Sequence, residues 1–113
     1  MRKRRMIRVN DEIKKELSQI FRAGLKDPRF GGMVSVVRVE TSPDLKFCKV
    51  FVSILGTDEQ KQGSMEAINS ARGHLRSQVA SAVNLRQTPE FTFILDESLD
   101  HSDRINQILD SNL

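Results

Sequence analysis

The chain has 113 residues, long enough to bury a modest core without disulfides or metals. Its one cysteine, Cys48, excludes an internal disulfide, and no apolar run approaches the ~20 residues of a membrane span. The net charge of +3 hides a split: residues 1–15 carry seven basic side chains against two acids, and residues 96–113 carry five acids against one arginine. That polarity suits an anionic partner, nucleic acid or a membrane surface, at the basic end, and equally a solvated charged tail. The opening MRKRRMIRV is not followed by the apolar stretch of a signal peptide. A cytoplasmic location and a single domain over residues 1–113 are therefore expected.

The first helix is predicted from about Asn10 to Leu25, with Asn10 or Asp11 as its cap. Val9, Ile13, Leu17, Ile20, Phe21 and Leu25 recur at helical spacing and form one apolar stripe. Residues 1–9 then form a basic arm with Arg2, Lys3, Arg4, Arg5 and Arg8, and Lys14, Lys15 and Arg22 carry its charge onto the helix surface. Gly24 weakens the last turn, and KDPRFGG, with Pro28 and the Gly31–Gly32 pair, reads as a loop.

A hairpin follows. The β-branched run Met33 to Thr41 predicts one strand, Ser42 to Leu45 a turn, and Lys46 to Leu55 a second strand. Alternation puts Cys48, Val50, Val52 and Ile54 on the core face and Phe47, Lys49, Phe51 and Ser53 on the other. GTDEQKQGS reads as a polar loop, with a second helix starting near Ser64. Its stripe runs through Ile68, Leu75, Val79 and Val83, past Gly73. Pro89 stops it, PEFTFILD forms a third strand, and SLDHSDRINQIL a short final helix with Leu99, Ile105, Ile108 and Leu109 on its apolar side. Strands one and two must be antiparallel. Strands two and three, joined through a helix, should be parallel neighbours. The expected class is α+β: a three-stranded mixed sheet with helices on one face.

Catalytic chemistry is poorly supplied. His74 and His101 lie on different elements, and no Cys/His set has zinc spacing. Cys48 falls on the aliphatic strand face, where an inert buried thiol is expected. Asp96, Glu97 and Asp100 read as a solvated face and helix cap, and no phosphate-binding G-x-x-x-x-G-K-[ST] is present. No enzyme activity, cofactor or metal is expected.

Basic side chains are better supplied. Besides the arm, Lys26 and Arg29 flank the turn after the first helix, Arg72 and Arg76 share a helical face, and Arg86 follows that helix. Gly73 has two readings. It is a packing glycine, or it marks a bend where Ala71, Arg72, Gly73 and His74 meet a phosphate backbone. A glycine-bearing junction between two helices in a β-α-α-β core is the pattern of the KH RNA-binding domain, whose GXXG loop clamps nucleic acid. Here Ala71-Arg72-Gly73 stands in place of GXXG.

Lys26-Asp27-Pro28-Arg29 followed by Gly31, Ser42-Pro43-Asp44-Leu45, Lys49-Val50-Phe51-Val52, Ala71-Arg72-Gly73, and Leu85-Arg86 with Pro89-Glu90-Phe91 occur in this order over almost the whole chain. In these landmarks the sequence resembles the bacterial ribosome-binding factor A family. The resemblance implies a type II KH fold with a helix-kink-helix. It implies a non-enzymatic factor that binds the immature small (30S) ribosomal subunit and 16S rRNA, and assists late maturation and 5′-end processing. It also implies growth support in the cold and release by a ribosome-associated GTPase. A monomer without membrane contact is expected. The RNA surface would include Ala71, Gly73 and the nearby basic side chains. Two readings compete from the residues alone: a general nucleic-acid module, and a protein-interaction domain whose basic arm docks on an acidic partner.

Overall fold

The structure is a computed structural model that describes residues 2–85 and 87–98, with side chains from Arg5 onward. The predicted final helix with Leu99, Ile105, Ile108 and Leu109 lies outside the described residues, as does Arg86. The elements in order are α1 (Arg2–Ala23), β1 (Met33–Thr41), β2 (Phe47–Leu55), α2 (Asp58–Ser70), α3 (Arg72–Val83) and β3 (Glu90–Leu95). The sheet order is β1-β2-β3, with β1 antiparallel and β3 parallel to β2. This is the expected α+β arrangement.

The core lies between one face of the sheet and the helices. The sheet contributes Val36, Val39, Cys48, Val50, Val52, Phe91 and Phe93, and the helices Val9, Ile13, Leu17, Phe21, Ile68, Leu75 and Val79. Fully burying one such side chain stabilises by roughly 1.5–3 kcal/mol. Phe93 meets Phe21 and Phe91 edge-on, with centroids 6.3 and 5.9 Å apart. The opposite face is open: Met33, Phe47 and Leu55 are exposed. The buried face of β1 changes phase between Val36 and Val39. A bulge at Val37 adds one residue there, so Val36 pairs with Val52 and Arg38 with Phe51.

Three boundaries differ from the sequence reading. Helix α1 starts at Arg2, so the residues expected as an arm form its first turns. Asn10 caps nothing. Its Oδ1 accepts from the Thr41 backbone N–H at 3.1 Å and from the Thr41 hydroxyl, tying α1 to the end of β1. Helix α1 ends at Ala23 because Gly24 adopts φ +90° and returns its N–H to the Ile20 carbonyl.

Helix α2 starts at Asp58, six residues before Ser64. Thr57 Oγ1 accepts from Gln60 N–H at 3.1 Å, and Gln60 Oε1 accepts from Thr57 N–H at 2.8 Å. This is a reciprocal capping box, and Asp58 and Glu59 favour the helix N-terminus behind it. Gly63 therefore sits inside a helix. A Cβ there would meet the Arg29 carbonyl oxygen at 2.7 Å, so its bare backbone lets the KDPRFGG loop pack closely.

Candidate nucleic-acid interface

Helices α2 and α3 meet at one residue. Ala71 has φ −89° and ψ 4°, which any residue can adopt. Its N–H donates to the Ala67 and Ile68 carbonyls, and its own carbonyl accepts from Leu75 N–H at 2.8 Å. The last bonds of α2 and the first of α3 thus share Ala71. The chain turns a corner with no loop.

Gly73 lies past that corner, as the second residue of α3. It does not make the bend, and it is not a packing glycine, because a Cβ at this position would meet nothing within 4 Å. The backbone is bare toward open space, in a hollow of about 200 Å³ with Arg72, Arg76 and the start of β3. Arg72 makes no hydrogen bond or ion pair with another described residue. Arg76 is partly spent: its Nη2 donates to the Thr88 carbonyl at 2.8 Å and holds the approach to Pro89.

On the other side of the corner is a groove of about 760 Å³. The end of α1 and Lys26 form one wall, and Ser70, Ala71, His74 and Gln78 the other. The corner therefore divides the predicted residues: Lys26, Ala71 and His74 line the groove, and Arg72, Gly73 and Arg76 line the hollow on its other side, although Lys26 is far from the rest in sequence.

Arg29 is near this groove but engaged. Its Nε and Nη2 fork onto the Asp27 carboxylate at 3.1 and 2.6 Å, and Nη2 also donates to Ser70 Oγ at 3.0 Å. Glu66 Oε2 stands 3.7 Å from Nη1. The guanidinium hydrogen bonds hold the Asp27 carboxyl down at about 2. The loop is anchored from below by Phe30, whose ring lies 6.2 Å from Phe21, and by buried Ser64. Ser64 Oγ accepts from Gly31 N–H at 2.9 Å and donates to the Gly31 carbonyl at 2.6 Å.

The remaining candidates lie apart. Arg5, Arg8, Lys14 and Lys15 are exposed on α1, and Arg5 is ~27 Å along the helix from Ala23 at the groove. Glu12 and Glu16 follow Arg5 by seven and eleven residues and share its face, so no continuous basic track leads from Arg5 to the groove. Arg8 lies 3.4 Å from Glu12 in an exposed pair. Of Arg2, Lys3 and Arg4 the structure describes the helical backbone alone.

Arg22 lies outside the groove, beside Phe30 and the start of β1. It is exposed, and at seven-residue spacing it continues the solvent-facing line of Arg8 and Lys15. That spacing was visible in the sequence. On the open sheet face, Arg38 sits 4.0 Å over the Phe51 ring, which removes one face of that ring from stacking on a base. Among the described residues no group of three or more His, Cys, Asp or Glu could hold a metal ion. No helix among them is long and apolar enough to cross a membrane.

The family model "Ribosome-binding factor A" matches residues 5–109. The chain belongs to the ribosome-binding factor A family. It is 50% identical to a ribosome-binding factor A of Clostridium novyi over 113 residues, covering 100% of this chain and 93% of the relative. Against that of Brevibacillus brevis the identity is 49% over 109 residues, covering 96% and 89%. A solution structure of a candidate ribosome-binding factor A from Thermotoga maritima is similar, with TM-score 0.68, 35% identity, and coverage of 83% of this chain and 89% of that one. So is a homology model of Thermus thermophilus ribosome-binding factor A fitted into an electron-microscopy map of its 30S complex, with TM-score 0.65, 25% identity, and coverage of 78% and 91%.

Proposed function

We propose that this protein is a ribosome assembly factor that binds the immature 30S subunit and holds 16S rRNA through the corner between α2 and α3. Membership of the ribosome-binding factor A family and the 30S-bound Thermus relative support the partner. The observation that carries the site is the bare backbone at Gly73 beside Arg72, which has no hydrogen-bond or ion-pair partner among the described residues, with Lys26 across the corner. In this reading the one-residue corner stands where a KH domain has its GXXG loop.

Binding proceeds without chemistry. The α1 stripe of Arg8, Lys15 and Arg22 steers the helical side toward phosphates. Arg72 and Lys26 neutralise backbone charge at the corner, and the Gly73 backbone admits a close approach. Recognition is by shape, since the chain has no Trp or Tyr to stack on bases. To assist late maturation and 5′-end processing, the factor binds the immature rRNA conformation more tightly than the mature one, which shifts the population between them. A monomer acts on each subunit, supports growth in the cold, and leaves with the help of a ribosome-associated GTPase.

The test is co-sedimentation with small subunits from maturation-deficient cells at two salt concentrations. Co-migration at low salt and roughly tenfold or greater weakening at higher salt are expected. Absence from immature subunits at low salt would sink the proposal. Binding that does not respond to salt would favour a protein contact over RNA.

A further inference from the structure

Arg29 carries a charge near the groove, yet its donors are engaged by Asp27, Ser70 and Glu66. Asp27 follows Lys26 on one wall of the groove, and Ser70 precedes Ala71 on the other. Arg29 bonds both: Nε and Nη2 to Asp27, Nη2 to Ser70. It is not itself a lining residue of the groove. One planar side chain therefore spans from the wall that bears Lys26 to the wall that bears Ala71 and His74. Gly63 lets the backbone of Arg29 approach α2 closely and Ser64 bonds Gly31, so the guanidinium reaches from a seated base toward Asp27, whose end of the loop these contacts do not hold.

We infer that Arg29 is a positioning residue, a strut that sets the width of the groove and aims Lys26 across it. This rests on the RNA-binding reading above for its consequence, though not for its geometry. The fork geometry suits the role: a guanidinium on a carboxylate fixes direction as well as distance, which a lysine could not. Exposed pairs of this kind contribute little to global stability. The strut therefore acts on the shape of the groove and hardly on the fold.

A direct RNA contact and a strut differ in sign at Asp27. If Arg29 touched phosphate, Asp27→Asn would release the guanidinium and remove a negative charge, and binding to immature 30S subunits would tighten. If Arg29 is a strut, Asp27→Asn weakens binding several-fold. The salt dependence separates them again. Lys26→Gln should take about 0.7–0.9 from the slope of log affinity against log salt. Arg29→Gln should take the same amount, and the double variant no more. Additive losses would overturn the inference, as would tighter binding by Asp27→Asn.

A second measurement needs no RNA. Spin labels on Lys26→Cys and His74→Cys report the groove width, because buried Cys48 stays unlabelled. The distance distribution should be narrow in the parent and broad with Arg29→Gln. An unchanged distribution would overturn the strut. A broadened one in a protein that binds no subunits would leave the strut standing and sink the RNA reading.

Discussion

Ser64 and Gly31 are bonded to each other twice. The buried hydroxyl accepts from the Gly31 N–H and donates to the Gly31 carbonyl, so one side chain satisfies both polar groups of a loop residue thirty-three positions away. Ser64→Ala would orphan both groups in a partly buried setting. A loss of about 1–3 kcal/mol is expected, read as a lower urea midpoint with unchanged m-value. A loss well below that range would mean that water reaches the loop.

Gly73→Ala separates stability from binding. The site is helical, its φ is not positive, and open space surrounds the added methyl. The variant should gain up to about 1 kcal/mol, as an exposed helix position does on this exchange. Affinity for immature 30S subunits should fall, because the methyl occupies the approach to the backbone. Unchanged affinity would show that the partner does not come close at this point.

Acid should dissolve the Asp27–Arg29 pair late. The native carboxyl is held at about 2, against 3.8 for the ordinary group. A lowered native value means that the unfolded chain takes up the proton first on acidification. The contribution of the pair is therefore complete above about pH 5 and lost as the pH falls through 2. Unfolding of the parent and of Asp27→Asn should differ by a small, constant amount from neutrality to about pH 5, and that difference should vanish only below about pH 2. A difference that already changes around neutrality would contradict this.

Cys48 should resist thiol reagents. Burial pushes its thiol up to about 11, against an opposing lowering by the Thr41 hydroxyl at 3.6 Å. Labelling by a disulfide reagent should be slow in the native protein and accelerate with urea in step with unfolding. Rapid native labelling would show that the end of β1 opens.

Replacing Arg8, Lys15 and Arg22 together with Gln should reduce the salt slope of subunit binding by about 0.7–0.9 for each phosphate that these side chains neutralise. An unchanged slope would show that the solvent-facing stripe of α1 stays clear of phosphate.

The strands were legible in the sequence because β-branched runs and alternation depend on neighbours close in the chain. The reading Met33 to Thr41 matches β1, and the Cys48–Ile54 face is the buried one. The start of α2 was legible too, in the Thr57-x-x-Gln60 capping pattern, but polar composition disguised those turns as a loop. The start of α1 was not. Asn10 carries the residue type of a cap, and only the tertiary contact with Thr41 shows that its side chain is employed elsewhere. The site divides the same way. Arg72 and Gly73 stand out along the chain, whereas the inward commitment of Arg29 depends on Ser70 and Glu66, which only folding brings near.

The bond between Asn10 and Thr41 bears on how the molecule avoids its own kind. Strand β1 is an outer strand of the sheet, and an outer strand offers a row of unused backbone groups to any extended peptide. At Thr41 the amide that would greet such a visitor is already taken by Asn10. The helix that carries much of the basic charge thus also bars one end of that border, and Asn10→Leu would leave the Thr41 amide free to pair with an added strand.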